Sequence, residues 1–297
     1  MDERKRARFL RCNTLLACPV CRLPLELHGT SLACEAGHRF DLARQGYVNL
    51  LRGSKKPARY DRESFHLRRT VFENGHLGFV GSADDRQDLI YEPIAEALCR
   101  EVASLGETAR RVPRVLDAGC GEGYFARTVR ARTGAEVCAF DISKDSVQLA
   151  AGLDADDGIA WLVADLAAIP ILDGSIDCAL DVFSPANYDE LRRVLAPGGI
   201  VIKVVPTTRH LHELRERAAG QLVHSSYSNQ RVLNHFSSCC TLRNHYTVSS
   251  THPISPDALE ALIHMTPLLF NVDTERIDWS GLTHVTVEAE VLIGTFE

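Results

Sequence analysis

The sequence lacks any long hydrophobic segment. Across its 297 residues no apolar run approaches the roughly 18 residues that a membrane-spanning helix needs. The charged N-terminal stretch MDERKRARFL is not followed by the apolar segment of a signal peptide. Hydrophobic residues nevertheless make up 45% of the chain, which is enough for a sizeable core. We therefore predict a soluble, cytoplasmic protein that has no membrane partner.

Paired cysteine spacing, the mark of a disulfide framework, is missing from most of the chain. Six of the ten cysteines are scattered through apolar stretches, which is typical of reduced thiols in the core of a cytosolic protein. These six are Cys99, Cys120, Cys138, Cys178, Cys239 and Cys240. The other four lie together near the N-terminus and need a separate explanation.

An overall excess of positive charge is also absent, but the charge is unevenly distributed. The formal net charge is -6, whereas residues 1–80 carry a balance of +7 and residues 81–297 one of -13. A basic head on an acidic body indicates a module that binds a polyanion. The alternative is an arginine-rich surface that is simply solvated, and charge alone leaves both interpretations open.

The N-terminal cysteines follow the spacing of a metal site. Cys18, Cys21, Cys34 and His38 form the pattern C-x2-C-x12-C-x3-H. Thiolate and imidazole groups suit tetrahedral zinc, and four of them fill its coordination shell, so we predict one structural Zn²⁺ rather than a chance group of buried thiols. In the segment RLPLELHGTSLA between the two pairs, residues alternate as in β-strands on either side of a turn at residues 28–30. This pattern predicts the hairpin of a zinc ribbon.

A basic segment follows the predicted ribbon. Residues 52–59, RGSKKPAR, contain glycine and proline among cations and predict a loop. Together with Tyr47, Tyr60 and Phe65, these cations could pair with phosphates and stack on bases. We favour nucleic-acid contact, and the alternative is a linker with a few aromatic anchors.

Beyond about residue 90 the pattern alternates between strands and helices, which predicts an α/β fold with a mostly parallel sheet. The candidate strands are residues 114–116, 136–140, 160–163, 178–182, 200–205, 241–250 and 284–296. The candidate helices are residues 123–132, 144–152, 188–195 and 257–265.

The first of these strands runs into a glycine-rich segment, LDAGCGEGYF. Gly119, Gly121 and Gly123 form G-x-G-x-G, and Tyr124 stands where a dinucleotide-binding fingerprint has its third glycine. An ordinary NAD site is therefore not indicated.

Acidic residues occur at the ends of three successive strands. They are Asp117, Asp141 and Asp165. A carboxylate at the end of the second strand can accept hydrogen bonds from a ribose diol. Three such acids and the glycine loop resemble class I S-adenosylmethionine-dependent methyltransferases, in which the third acid lies near the adenine amino group.

The fourth strand ends in DVFSPAN, which begins at Asp181. In nucleobase methyltransferases this position holds a loop that faces the target, but the sequence differs from the Asp/Asn-Pro-Pro-Tyr of enzymes that act on amino groups. Methylation of an exocyclic amine is therefore not indicated. Asp181 is a candidate for the base or for a group that reads the target, and the alternative is an aspartate that only caps the next turn.

The chain as a whole resembles the bacterial 23S rRNA guanine-N1 methyltransferases of the RlmA/RrmA type, which include members that confer macrolide resistance. The resemblance runs from Cys18 to about Phe270. It is carried by CPVC, CEAGH, HRFDLARQGYVNLL, RRTVFENGH, LDAGCGEGYF, FSPA, LAPGG, TTRHLHEL and HMTPLLF. It implies a class I methyltransferase fold with a zinc ribbon.

The resemblance also implies the ligands and partners. It places S-adenosylmethionine at the glycine loop and strand-end acids and near Tyr124, Phe125, Ile142, Leu166 and His210. Without the resemblance, His210 would be interpreted as a surface histidine at the start of a helix. It further implies a homodimer whose zinc modules form a cleft for 23S rRNA, with no DNA partner.

We divide the chain accordingly into a zinc-binding RNA-recognition module (1–50), a basic linker with a connecting helix (51–89) and a methyltransferase domain (90–297). The sequence departs from the family at Leu77, where the family has tyrosine, and at the apparent insertion 81–87. Neither departure indicates a loss of activity, although either could alter affinity or the fit to RNA.

The implied reaction is methyl transfer to N1 of one guanine in an rRNA hairpin loop near the peptide exit tunnel and the macrolide site. Guanine N1 carries a proton at neutral pH, so the enzyme must position both partners and accept that proton. A base inside a stem cannot be reached, which favours a loop guanine or an extruded one. Two other functions stay open: methylation of a small molecule, and RNA binding by a non-catalytic relic of the fold.

Overall fold

A computed structural model of the chain describes residues 3–12, 14–53, 62–73, 89–155, 158–222 and 228–296. Its strands are β1 (Glu26–His28), β2 (Ser31–Ala33), β3 (Arg39–Asp41), β4 (Tyr47–Asn49), β5 (Arg114–Ala118), β6 (Glu136–Asp141), β7 (Ile159–Val163), β8 (Ile176–Val182), β9 (Leu195–Pro206), β10 (Thr241–Pro253) and β11 (His284–Thr295). Its helices are α1 (Glu3–Arg11), α2 (Arg62–Glu73), α3 (Glu92–Ala109), α4 (Tyr124–Thr133), α5 (Lys144–Leu153), α6 (Tyr188–Val194), α7 (His212–Arg217), α8 (Gln230–Cys239) and α9 (Pro256–Met265). Within these ranges no helix combines the length and the apolar character needed to span a bilayer.

The main sheet has eight strands in the order β10-β11-β9-β8-β5-β6-β7-β4. Strands β4 to β9 are mutually parallel, and β11 pairs antiparallel with both β9 and β10. The α/β prediction with a mostly parallel sheet is therefore confirmed. Because the chain order reverses at β5, between β6 and β8, a crevice forms at the carboxyl ends of these strands.

All seven strands predicted after residue 90 are present with shifted ends, as are the four predicted helices. Helix α3 was not predicted, although Pro93 in its first turn is typical of a helix start. The prediction also omitted the short α7 and α8, as well as α1, in which charged residues outnumber apolar ones.

Side chains alternate between the two faces of the sheet, and each face has its own core. Val115, Val137 and Trp161 point into a core shared with α3, α4 and α5. Leu116 and Leu162 belong to a second core on the other face. That second core also contains eleven buried side chains of the N-terminal segment, the first from Phe9 and the last from Leu50, so the segment packs directly on the sheet.

The N-terminal segment contains the predicted hairpin, formed by β1 and β2 with Gly29 in the turn, and β3 adds a third strand. Strand β4 instead pairs with β7 and becomes the edge of the main sheet. The boundary that we predicted at residue 50 thus falls just after a strand of the large sheet. Tyr60, most of the basic loop 52–59, Leu77 and the insertion 81–87 lie outside the described residues.

Candidate functional site

The four zinc ligands predicted from the sequence converge on one point. One ligand atom from each of Cys18, Cys21, Cys34 and His38 lies within 4.8 Å of the others. The Sγ atoms of Cys21 and Cys34 are 3.6 Å apart, and Cys34 Sγ is 3.4 Å from His38 Nδ1. Donors at ordinary zinc distances in a tetrahedron are roughly 3.5–3.8 Å apart. The donor set and its spacing therefore fit one zinc ion.

Tight turns place these ligands. The backbone N–H of Arg22 donates to the carbonyl of Cys18 (2.9 Å), and Arg22 adopts a left-handed φ of 66°. The amide of Cys34 donates to the carbonyl of His38 (3.1 Å). Burial opposes charge on Cys34, but hydrogen bonds from His38, and from Cys21 and Cys18, together outweigh it and lower the pKa of the Cys34 thiol to about 6. A lowered pKa favours the thiolate, which is the form that binds metal.

A cavity of about 960 Å³ opens at the carboxyl ends of the parallel strands. Six of the predicted cofactor residues line it: Gly119, Gly121, Asp141, Ile142, Asp165 and Leu166. Residues 182–189, which run from the end of β8 into the first turn of α6, form another part of its wall. The glycine loop, two strand-end acids and the FSPA segment therefore share one space.

The glycine loop is tied to the second strand. Asp141 accepts hydrogen bonds from the backbone N–H of Gly121 at Oδ2 (3.0 Å) and of Ser143 at Oδ1 (2.8 Å). Gly119 has a φ of +82°, and a Cβ there would lie 2.7 Å from Ser184 Oγ. A glycine is therefore required where the loop passes the FSPA segment.

Helix α2 supplies two cavity residues, Phe65 and Arg68. The sequence indicated Phe65 only as an aromatic residue that could stack on bases, and sequence reasoning missed Arg68. The Nε of Arg68 lies 2.9 Å from Oε2 of Glu122, which is almost fully buried in the glycine loop. The guanidinium also lies over the ring of Phe72, 4.9 Å from its centroid. In the sequence, Arg68 was visible only as the first residue of the family segment RRTVFENGH. The spacing of that segment does not indicate a contact with Glu122.

Two predicted cofactor residues, Asp117 and Gly123, lie at the two ends of the glycine loop and do not belong to the described lining of the cavity. Asp117 is 2% exposed, and its pKa is raised to about 7 by burial and by the negative charges of Glu122, Asp141 and Asp181. Gly123 packs on Trp161, whose ring would lie 2.4 Å from a Cβ at this position.

Tyr124 and Phe125 also lie away from the cavity lining. Both rings are buried at the start of α4 and pack edge-on against Phe72 of α2, with centroids 5.3 and 5.7 Å away. The hydroxyl of Tyr124 donates to Glu92 (3.3 Å). The structure therefore places the two residues in the contact between α2 and α4.

His210 lies in an aromatic group beside the cavity. Its ring centroid is 5.4 Å from that of Phe183, which lines the cavity, and 6.3 Å from that of Tyr91. Its Nδ1 is 3.2 Å from the carbonyl oxygen of Glu288, and burial lowers its pKa to about 4. The ring is therefore neutral at pH 7, with the proton on Nδ1 donated to this carbonyl.

Asp181 is fully buried behind the FSPA segment. Its Oδ2 accepts a hydrogen bond from Lys203 Nζ (2.9 Å), and its Oδ1 accepts one from Ser184 Oγ (2.7 Å). Lys203 Nζ also donates to the carbonyl of Ser184. Burial raises the pKa of Asp181 to about 6, although Lys203 opposes the rise. Sequence reasoning missed Lys203, which was visible as a single cation in the apolar strand IVIKVV.

Known proteins match this chain along most of its length. The 23S rRNA (guanine(748)-N(1))-methyltransferase of Streptomyces fradiae is 33% identical over 270 residues, covering 88% of each chain. YxjB of Bacillus subtilis, which its name assigns provisionally to the 23S rRNA (guanine-N1)-methyltransferases, is 31% identical over 290 residues, covering 95% of this chain and 97% of its own. A malonyl-[acyl-carrier protein] O-methyltransferase of Erwinia billingiae is 35% identical over 126 residues, 40% of this chain and 49% of its own.

The doubly wound sheet, with its glycine loop and strand-end acids around one crevice, defines a class I S-adenosylmethionine-dependent methyltransferase. In agreement, a family model described as a methyltransferase domain matches residues 115–199, and one described as the N-terminal zinc ribbon of RlmA matches residues 16–59. The identity with relatives over nearly the whole chain shows that it belongs to the 23S rRNA (guanine-N1)-methyltransferase family. The predicted cofactors, S-adenosylmethionine and zinc, are confirmed.

Proposed function

We propose that this enzyme methylates N1 of a single guanine in a hairpin loop of 23S rRNA, near the peptide exit tunnel and the macrolide site. The observation that carries the proposal is the shared cavity, in which the glycine loop and strand-end acids face the FSPA segment. Its volume of about 960 Å³ is at the upper end of the roughly 300–1,000 Å³ of ligand sites. It thus offers room for a cofactor and part of a target nucleotide.

The cavity residues divide the binding task. Asp141 is the proposed acceptor for the ribose hydroxyls, and Asp165 with Leu166 lies at the proposed adenine end. Gly119 and Gly121 bring backbone close to the methionine part of the cofactor, while Asp117, Gly123, Tyr124, Phe125, Ile142 and His210 shape or border the site. S-adenosylmethionine supplies an electrophilic methyl group on a sulfonium when it is bound.

The proton on guanine N1 needs an acceptor. We assign this task to Asp181, acting through Ser184, because Ser184 lines the cavity and its Oγ lies 2.7 Å from Asp181 Oδ1. The N1 proton passes to Ser184 Oγ while the hydroxyl proton passes to Asp181, and N1 is then free to attack the methyl group. A carboxyl pKa of about 6 suits a proton acceptor that works near neutral pH.

The N-terminal part is proposed to bring the RNA to this cavity. It carries the zinc centre and the positive balance of residues 1–80. We propose a zinc-binding RNA-recognition module at residues 1–50, a connecting segment at residues 51–89 and a methyltransferase domain at residues 90–297. A homodimer would set two such modules side by side as an RNA cleft.

The test is transfer of a labelled methyl group from S-adenosylmethionine to unmodified 23S rRNA, with the product mapped by nuclease digestion and mass spectrometry. One N1-methylguanine in a hairpin loop is the expected product. Protein that holds zinc and binds the cofactor but does not methylate the rRNA would contradict the proposal and favour a small-molecule substrate. Lack of cofactor binding would instead favour the non-catalytic relic.

A further inference from the structure

The zinc ribbon is hydrogen-bonded to the segment that leaves β7. Just before Cys18, the amide of Ala17 donates to the carbonyl of Pro170 (2.9 Å), and the amide of Leu172 donates to the carbonyl of Leu15 (2.8 Å). Leu16 and Ile171 are paired as an antiparallel bridge. The first metal ligand therefore directly follows a residue that makes a backbone contact with the methyltransferase domain.

A side chain of the zinc turn makes a second connection to the same segment. Arg22 directly follows Cys21, and its Nη1 donates to the carbonyl of Ile169 (3.0 Å). Its Nη2 lies 3.5 Å from Oε1 of Glu190, while Oε2 of Glu190 accepts the amide of Ile169 (2.7 Å). Glu190 of α6 thus holds the amide of Ile169, and the carbonyl of Ile169 accepts three donors: Arg22 of the zinc turn, Nη2 of Arg193 in α6 (2.8 Å) and the amide of Ile171 (2.9 Å).

The other end of this segment forms a wall of the cofactor cavity. Asp165, Leu166 and Ala167 line the cavity, and Leu166–Ala168 form one turn of 3₁₀ helix, for which Asp165 Oδ1 caps the amide of Ala167 (3.0 Å). Ile169 follows that turn directly. One hydrogen-bonded turn therefore separates Ile169 from the proposed adenine end of the cavity.

We propose that Arg22 is a positioning residue that couples the zinc ion to the cofactor cavity. A bound zinc fixes the turn at residues 18–22, and Arg22 then holds residues 165–171 in the conformation that binds S-adenosylmethionine. The proposal rests on the cofactor site proposed above. Zinc binding and cofactor binding consequently favour each other, because both need the same arrangement of this segment.

The backbone at Arg22 makes the coupling dependent on the metal. Its φ of 66° lies in the left-handed region, which is unfavourable for a residue with a Cβ and persists where the surroundings hold it. The ligands on either side of the turn supply that hold when zinc is bound. Loss of zinc releases the turn. The backbone of Arg22 is then no longer fixed, and its guanidinium loses the hydrogen bond to Ile169.

The test compares two arginines that contact the zinc turn. Arg22→Asn removes the guanidinium and keeps a residue type that tolerates a positive φ. Arg52→Asn is the matched control, because Arg52 Nη1 donates to Pro19 of the same turn (3.2 Å) and not to Ile169. For each chain, zinc content is measured by colorimetric release, the dissociation constant for S-adenosylmethionine by titration calorimetry, and the order of residues 165–172 by hydrogen exchange.

We expect Arg22→Asn to hold one zinc per chain, to bind S-adenosylmethionine about fivefold more weakly, which is roughly 1 kcal/mol, and to exchange faster at residues 165–172. The KM for the cofactor should rise while kcat stays unchanged. Arg52→Asn should match the wild type in zinc content, in affinity for S-adenosylmethionine and in hydrogen exchange at residues 165–172. Removal of zinc with a chelator should weaken cofactor binding more in the wild type than in Arg22→Asn, since the variant has already lost the connection.

Equal affinities in wild type and Arg22→Asn, or an equal effect of zinc removal on both, would overturn the coupling. If zinc removal unfolds the chain, as judged by circular dichroism, the affinities of zinc-loaded wild type and zinc-loaded Arg22→Asn for S-adenosylmethionine still test the coupling. Zinc-loaded wild type that binds no S-adenosylmethionine would instead reject the proposed cofactor site.

Discussion

Lys203 and Asp181 form an ion pair, Nζ to Oδ2 2.9 Å, in which the two side chains are 5% and 1% exposed. Both also contact Ser184, at its carbonyl and its hydroxyl respectively. The neighbouring residue, Phe183, has a φ of 53°, which is rare for a side chain of this size. The pair therefore holds a strained turn in the wall of the cavity, where the target base is proposed to enter.

Lys203→Met should destabilise the protein and impair methyl transfer. The substitution leaves the buried Asp181 without its cation, which typically costs about 3–5 kcal/mol of unfolding free energy. It also releases the Phe183–Ser184 turn, so kcat should fall more than cofactor affinity. Urea denaturation and steady-state kinetics measure the two effects.

A more exposed ion pair provides the control for that experiment. Arg111 lies 2.6 Å from Asp177, but its side chain is 47% exposed. Arg111→Met should therefore cost about 1 kcal/mol or less. The double variant Asp181→Asn with Lys203→Met should recover part of the lost stability, because no unpaired charge is left. Equal losses from Lys203→Met and Arg111→Met would contradict this account of the buried pair.

Asp141→Asn should weaken binding of S-adenosylmethionine by about tenfold or more. The carboxylate accepts two backbone amides and is the proposed acceptor for the ribose, and hydrogen bonds to charged groups contribute about 1.5–3 kcal/mol each. Titration calorimetry gives the dissociation constant. Asp145→Asn, at an exposed site in the first turn of α5, should leave it unchanged. Cofactor affinity that survives Asp141→Asn would remove Asp141 from the site.

Gly123→Ala should destabilise the chain much more than Gly134→Ala. Both glycines have a positive φ, +81° and +69°, but a Cβ at residue 123 would meet the ring of Trp161 at 2.4 Å, whereas nothing lies within 4 Å of one at residue 134. We expect a loss of about 2–4 kcal/mol at residue 123 and about 1 kcal/mol at residue 134. Similar denaturation midpoints for the two variants would show that the contact with Trp161 is not tight.

Asp117 should make the folded protein less stable as pH rises towards neutrality. Burial and the nearby carboxylates raise its pKa to about 7, so the folded chain retains a proton between about pH 4 and 7 that the unfolded chain releases. The unfolding free energy therefore falls across this window by more than about 1 kcal/mol, since one pKa unit corresponds to 1.36 kcal/mol. Asp117→Asn should flatten this dependence and be more stable than wild type at pH 8.

Asp278 provides a control of the opposite sign for the pH experiment. Hydrogen bonds from Ser280 lower the pKa of Asp278, so the stability that it contributes is present above the pKa of the unfolded chain and is lost as the pH falls. Asp278→Asn should thus reduce the loss of stability at acid pH. Urea denaturation at several pH values checks both variants, and an unchanged slope for Asp117→Asn would show that another group carries the effect.

Short-range patterns were sufficient for much of this protein. The spacing of Cys18, Cys21, Cys34 and His38 predicted a cluster that the structure brings together, because ligands on two tight turns meet wherever the hairpin lies. The glycine loop and the acids at residues 141 and 165 were equally visible. Strand ends in a parallel sheet share one edge, so the order of motifs along the chain already implied a common cavity.

Contacts between distant parts of the chain needed the tertiary structure. Lys203 reaches Asp181 across 22 residues, and Arg22 reaches Ile169 across 147. Such contacts depend on which strands become neighbours and on which face of the sheet a segment covers. Neither choice produces a periodic pattern of residues that could be recognised in the local sequence. For the same reason the fold alone decided that β4 joins the main sheet and that Tyr124 and Phe125 pack against α2 instead of lining the cavity.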